Sequence, residues 1–126
     1  MGPLETQLQR LKERYADATW EDRGHHGLFV TIPDFTLPPG WNKPAVQVKF
    51  LVPQGFPYSP PDCFWADGDL RVLGRPEMPH ATQNNAMIPE MAGWVWFSWH
   101  LAQWNPNRDD LVSWVACIRD RFLKVQ

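Results

Sequence analysis

Apolar residues recur at helical spacing at the start of the chain, where Leu4, Leu8, Leu11 and Tyr15 stand three or four positions apart among charged and polar neighbours. The spacing predicts an amphipathic helix over residues 3–18, with Pro3 suited to its first turn. Residues 28–32 form a short apolar run that reads as a strand stopped by Pro33. Over residues 45–52 the pattern changes to strict alternation, with Val46, Val48, Phe50 and Val52 on one side and Gln47 and Lys49 on the other. Alternation of this kind predicts a strand of an antiparallel meander with one buried face. A third strand is expected over residues 62–66, Gly68-Asp69 then turns the chain, and residues 70–73 offer a further short piece. Residues 94–101 are the densest aromatic block. If extended, they split into Trp94, Trp96, Ser98 and His100 on one face and Val95, Phe97, Trp99 and Leu101 on the other. The stripe Leu111, Trp114, Val115, Ile118 and Phe122 predicts a last helix, capped by Asn107 or Asp109 with acidic residues in its first turn.

Between these elements lie the loop 22–27 with His25 and His26, the turn Pro38-Pro39-Gly40, and a polar stretch over residues 74–93. A loop as long as the last is usually functional or mobile in a compact domain. The fold class that emerges is α+β in one domain, since 126 residues suffice for one core and not for two. Eight tryptophans and seven phenylalanines fill that core where aliphatic residues are few. The thirteen prolines are interleaved with apolar strands and so punctuate turns rather than mark disorder. A net charge of -2 argues against a nucleic-acid partner. Two distant cysteines, with no signal peptide and no apolar run long enough to cross a membrane, point to a reduced cytosolic protein.

Two motifs then narrow the reading. The run Phe56-Pro57-Tyr58-Ser59-Pro60-Pro61 follows the alternating strand, and Trp104-Asn105-Pro106 precedes the last helix. With the order helix, meander, proline turn, irregular loop and helix, the chain resembles the ubiquitin-conjugating enzymes over most of its length. Leu37-Pro38-Pro39-Gly40-Trp41-Asn42 and the aromatic-Ser-His run before Trp104 are similar to prokaryotic family E of that superfamily. The resemblance implies the ubiquitin-conjugating fold and a place in a bacterial conjugation system, antiviral defence included. Its expected partners are a ubiquitin-like modifier, an activating enzyme and a target protein, with no cofactor. Family practice would put the activating enzyme on the first helix, through Gln7, Arg10, Lys12 and Arg14, and other partners on Tyr58, Pro60 and Pro61. Three departures stand out. Trp96 occupies the place, eight residues before Trp104, where these enzymes usually carry a thiol. The family's His-Pro-Asn triplet is absent, although Met78-Pro79-His80 and Asn84-Asn85 supply the residue types in another order. The family's last two helices are also absent, which implies a short form.

Acyl transfer needs a nucleophile, an oxyanion stabiliser and a proton acceptor. Ser98 and His100, with His80, are the candidate catalytic groups, because two residues apart on a strand a serine and a histidine share a face. The plainer reading has His100 hydrogen-bonding a loop carbonyl. Asn84 and Asn85 could supply a donor if their loop folds over the site. Cys63 reads as a buried structural cysteine whose thiolate burial disfavours, and Cys117 as a core residue of the last helix. The four histidines have no metal-ligand spacing, so no metal is expected. Trp94, Trp96 and Trp99 read as core and interface. For Tyr58 two readings stay open: packed back on the domain, or a stiff anchor on a rigid turn. A transferase with a displaced or replaced nucleophile, a non-catalytic binding module of the same fold, and an unrelated hydrolase using Ser98 and His100 all remain.

Overall fold

The computed structural model describes residues 3–82 and 88–126. Helix α1 spans Pro3–Arg14, strands β1 to β5 span Thr19–Asp22, Leu28–Thr36, Ala45–Val52, Phe64–Ala66 and Val95–Phe97, and helix α2 spans Leu111–Leu123. The five strands lie in the order β1-β2-β3-β4-β5, each antiparallel to its neighbour. This is the expected α+β meander between two helices. On β3 the alternation is borne out: Val46, Val48, Phe50 and Val52 are all buried.

The inner face of the sheet packs on both helices. Leu8 and Leu11 of α1 meet Leu111, Trp114, Val115, Ile118 and Phe122 of α2 in one core with Val48, Phe50, Phe64 and Phe97. The Phe122 ring lies 5.5–5.7 Å from the rings of Phe64, Phe97, Phe35 and Trp41, so one side chain ties α2 to four separate segments. Trp41 also donates its Nε1–H to the Phe122 carbonyl at 2.9 Å, satisfying a group in the last turn of the helix.

Five expectations need correction. Helix α1 stops at Arg14 instead of reaching residue 18, because the chain turns at Tyr15 and enters β1. That strand was not expected, since only Trp20 among its four residues gives an apolar signal; pairing with β2 makes it a strand. Pro33 does not end β2. The register shifts between Ile32 and Phe35, and a residue with no N–H is accommodated in that irregularity. The cap of α2 is Asp110, which exchanges hydrogen bonds with Ser113 (2.9 and 3.3 Å), and the first turn holds no acidic residue. Finally, the sheet is covered on its outer face too. Phe29, Trp65, Ile88 and Met91 are buried there, with Leu51, Trp94 and Trp96 packed against them. The segment carrying Ile88 and Met91 thus roofs the outer face, and this second small core absorbs several of the tryptophans.

Candidate functional site

The proline turn is held from behind. Phe56 N–H donates to the Pro53 carbonyl and Ser59 N–H to the Gly55 carbonyl, both at 3.0 Å, closing successive turns. Trp104 donates its Nε1–H to the Pro57 carbonyl at 2.7 Å and stacks at a tilt on Phe56, with ring centroids 5.8 Å apart. The two sequence motifs therefore meet in space. Tyr58 at the tip is 80% exposed, so it does not pack back on the domain. Pro61 is buried and leaves the expected contact set, while Pro60 is half-buried.

Beyond the turn the chain reaches Asp62 and Cys63 and then enters β4. Cys63 adopts φ 68°, and among the described residues no other non-glycine has positive φ. This is the left-handed region, which costs an L-residue energy. Its N–H still reaches the Trp99 carbonyl at 2.8 Å, but regular pairing of β4 with β5 ends at Phe64 opposite Phe97. Ser98 and His100 consequently lie past the strand end rather than on it. The split of side chains persists nonetheless. Val95 and Phe97 are buried in the main core with Trp99 and Leu101 packed on it, while Trp94 and Trp96 join the outer cluster.

On the outer face a groove of about 550 Å³ is lined by His25, His26, Leu51, Pro53, Pro60, Asp62, Cys63, Trp65, Trp96 and Ser98. Trp96, standing where the family's thiol is usual, is thus a wall of the groove that also holds Cys63 and Ser98. Cys63 is half-buried at this wall, contrary to the expectation of a core strand position. Its Sγ–H lies 3.6 Å from Asp62 Oδ1, and the His100 Nδ1 lies 3.7 Å from the same oxygen. Burial, and then the charge of Asp62, push the thiol above its ordinary value; the Trp99 backbone and the Ser98 hydroxyl oppose that shift by hydrogen bonding to sulfur. The expected disfavouring of thiolate by desolvation therefore holds.

The other candidates divide. Ser98 is exposed at the groove. His100 is 68% exposed in its side chain and meets Asp62 rather than Ser98. His80 is exposed as well, and its carbonyl accepts from Arg121 Nη2 at 3.1 Å on the core side, apart from the groove lining. Asn84 and Asn85 lie outside the described residues. Asp62 and the His25–His26 pair, whose rings lie 4.2 Å apart, were missed as groove residues. The only signal available for Asp62 was its place directly after the paired prolines. Cys117 is buried in α2, where burial pushes its thiol up. Among the described residues no three His, Cys, Asp or Glu side chains are grouped so as to hold a metal ion.

Of the residues expected to meet partners through α1, Arg10, Lys12 and Arg14 are exposed. Arg10 lies 3.9 Å from Asp110, and Lys12 sits over the Trp20 ring. Gln7 is otherwise engaged: its Oε1 accepts the Leu111 N–H at 2.9 Å, binding the two helices together. A second groove of about 510 Å³ lies over β1 to β3 and is lined by Trp20, Glu21, Arg23, Lys49, Glu90 and Trp94 among others. Its charges are largely self-paired, with Arg23 bound to both Glu21 and Glu90. Among the described residues, no helix is long and apolar enough to cross a membrane.

No curated protein and no solved structure matches this chain. The sequence model of prokaryotic E2 family E matches residues 5–125, nearly the whole chain. With its meander, its two helices and a proline turn locked by Trp104, this chain belongs to prokaryotic E2 family E, a ubiquitin-conjugating-like family.

Proposed function

We propose that the protein works in a bacterial conjugation system, where it receives or positions a ubiquitin-like modifier delivered by an activating enzyme for attachment to a target. The observation that carries this reading is the grouping of Asp62, Cys63 and Ser98 in one groove beside Trp96, with His100 against Asp62. An open groove with a nucleophile, hydroxyl and amide donors and a carboxylate is what an activated chain end requires. The exposed Arg10 and Arg14 of α1, and Tyr58 on its braced turn, are the contacts assigned to the activating enzyme and to other partners. Ser98 and His100 act at the groove, Ser98 as a donor or acceptor and His100 through Asp62; His80 has the weakest support of the three.

A second reading has support from Trp96. Its indole packs in the outer cluster on the strand pair it forms with Trp65, so the usual position of the thiol has become part of a small core. A binding module that docks modifier or activating enzyme without carrying it would look like this. Incubation with the cognate activating enzyme, modifier and ATP separates the two. The transferase reading expects an adduct cleaved by thiols or hydroxylamine. Stable association with no adduct selects the binding module, and neither adduct nor association rejects both.

A further inference from the structure

We propose that residues 124–126 form a releasable strap, and that Arg121 couples the seating of this strap to the Trp96 wall of the outer groove, so that release of the strap loosens the wall. The device goes beyond the functional reading above and holds whether or not the groove carries a modifier. Arg121 is 3% exposed, and its guanidinium joins three segments. Nη1 donates to the Lys124 carbonyl at 2.9 Å, and Nη2 donates to the carbonyls of Gln126 and His80, both at 3.1 Å. Two of the three acceptors belong to the strap, and the third lies two residues before Thr82. Thr82 and Trp96 form an isolated antiparallel bridge, exchanging N–H to carbonyl hydrogen bonds in both directions. Both backbone groups of Trp96 thus point to Thr82, and its pairing with Trp65 of β4 is of the kind without hydrogen bonds. The backbone of this groove-lining residue is therefore held by the stretch that Arg121 anchors.

A buried guanidinium is tolerated while its donors are met and becomes costly once they are not. If the strap leaves, two acceptors go together, and the cation is drawn toward water and off the His80 carbonyl. The strap is also lightly held. It lies beyond the end of α2, and Lys124 and Gln126 are exposed. Val125 rests against the bare Cα of Gly40, where a Cβ would stand 2.8 Å from the valine Cγ1, and Lys124 Nζ lies 4.7 Å from the centre of the Trp99 ring. Segments with so few buried contacts open ahead of the core.

Backbone amide exchange, resolved by NMR on the full chain, tests the coupling. Val125→Asp unseats the strap and leaves Arg121 in place, whereas Arg121→Lys keeps the charge and loses the fork that reaches three carbonyls. Each should speed exchange at Thr82 and Trp96 about tenfold, the effect of losing the support of about one hydrogen bond. Asp110→Ala, at the opposite end of α2, weakens the molecule without touching the strap, and exchange at Thr82 and Trp96 should stay within about twofold of the parent. Unchanged exchange at Thr82 and Trp96 in Val125→Asp would overturn the coupling, whatever happens at Lys124. A folded Arg121→Lys with unchanged exchange there would overturn the part given to Arg121. Equal acceleration in all three variants would overturn the device too, because those amides would then follow global stability. If Arg121→Lys does not fold, the comparison of Val125→Asp with Asp110→Ala decides alone.

Discussion

Cys63 and Arg121 illustrate how far a single side chain's role depends on what surrounds it. For Cys63 the sign follows from the direction of its shift. A thiol pushed above its ordinary value holds its proton through neutral pH, so its reactive thiolate fraction is small and grows with pH. The rate of alkylation by iodoacetamide should rise about tenfold per pH unit up to about pH 9 without levelling. A plateau below pH 8 would mean that the donors Ser98 and Trp99 outweigh burial. Arg121 is the one buried charged residue among those described, 3% exposed, and it donates to the carbonyls of His80, Lys124 and Gln126 at 2.9–3.1 Å. Its guanidinium also lies over the rings of Phe97 and Trp99. Arg121→Met keeps the hydrophobic stem and removes these donors, so it should cost about 2–3 kcal/mol in urea unfolding. A loss below about 0.5 kcal/mol would show that water replaces those bonds without penalty.

Each element depends on a few residues at its ends. Asp110 and Ser113 close the N-terminus of α2 reciprocally, so Asp110→Ala should destabilise by about 1 kcal/mol. Asn107→Ala, three positions before the cap residue, should fall within about 0.5 kcal/mol of the parent. Equal losses in the two variants would return the cap to the looser loop. The β1–β2 connection is closed by Gly27 at φ 96°, where a Cβ would stand 2.0 Å from the Val52 carbonyl oxygen. Backbone cannot retreat as a flexible side chain can. Gly27→Ala should therefore release β1 from the sheet, read as fast amide exchange at residues 19–22 while β3 stays protected.

For the molecule as a whole, the separation between fold and docking surface can be tested directly. Arg10 and Arg14 are exposed on α1, and the Arg10–Asp110 pair at 3.9 Å is solvent-screened, so reversing both charges should leave the unfolding midpoint within about 0.5 kcal/mol. Tyr58→Ala should likewise fold normally, its ring being 80% exposed. Both variants are expected to weaken association with the activating enzyme in a pull-down or by calorimetry. Unchanged binding in both would move the interface to another surface. Trp104, by contrast, joins the turn to the body, and Trp104→Phe should affect folding and Tyr58-dependent binding together, because the Pro57 carbonyl loses its donor.

Periodicity by itself determined the two helices, the buried side of β3 and the stripe of α2, because burial on one face leaves a repeat that the chain displays without knowledge of its partners. The proline and tryptophan motifs determined the family. What periodicity could not reach were features made by pairing between distant segments. β1 carries one apolar residue in four and exists because β2 offers it a ladder. The roof of Ile88 and Met91 is invisible in a polar, irregular stretch until it closes on Phe29 and Trp65. The site shows the same limit. Ser98 and His100 were legible as a pair two residues apart, but strand pairing stops at Phe97, so His100 turns to Asp62 and Ser98 to Cys63. A cysteine beside Phe64 and Trp65 reads as core from composition. In the fold it adopts a left-handed backbone with its N–H on the Trp99 carbonyl, and the residue lines a groove.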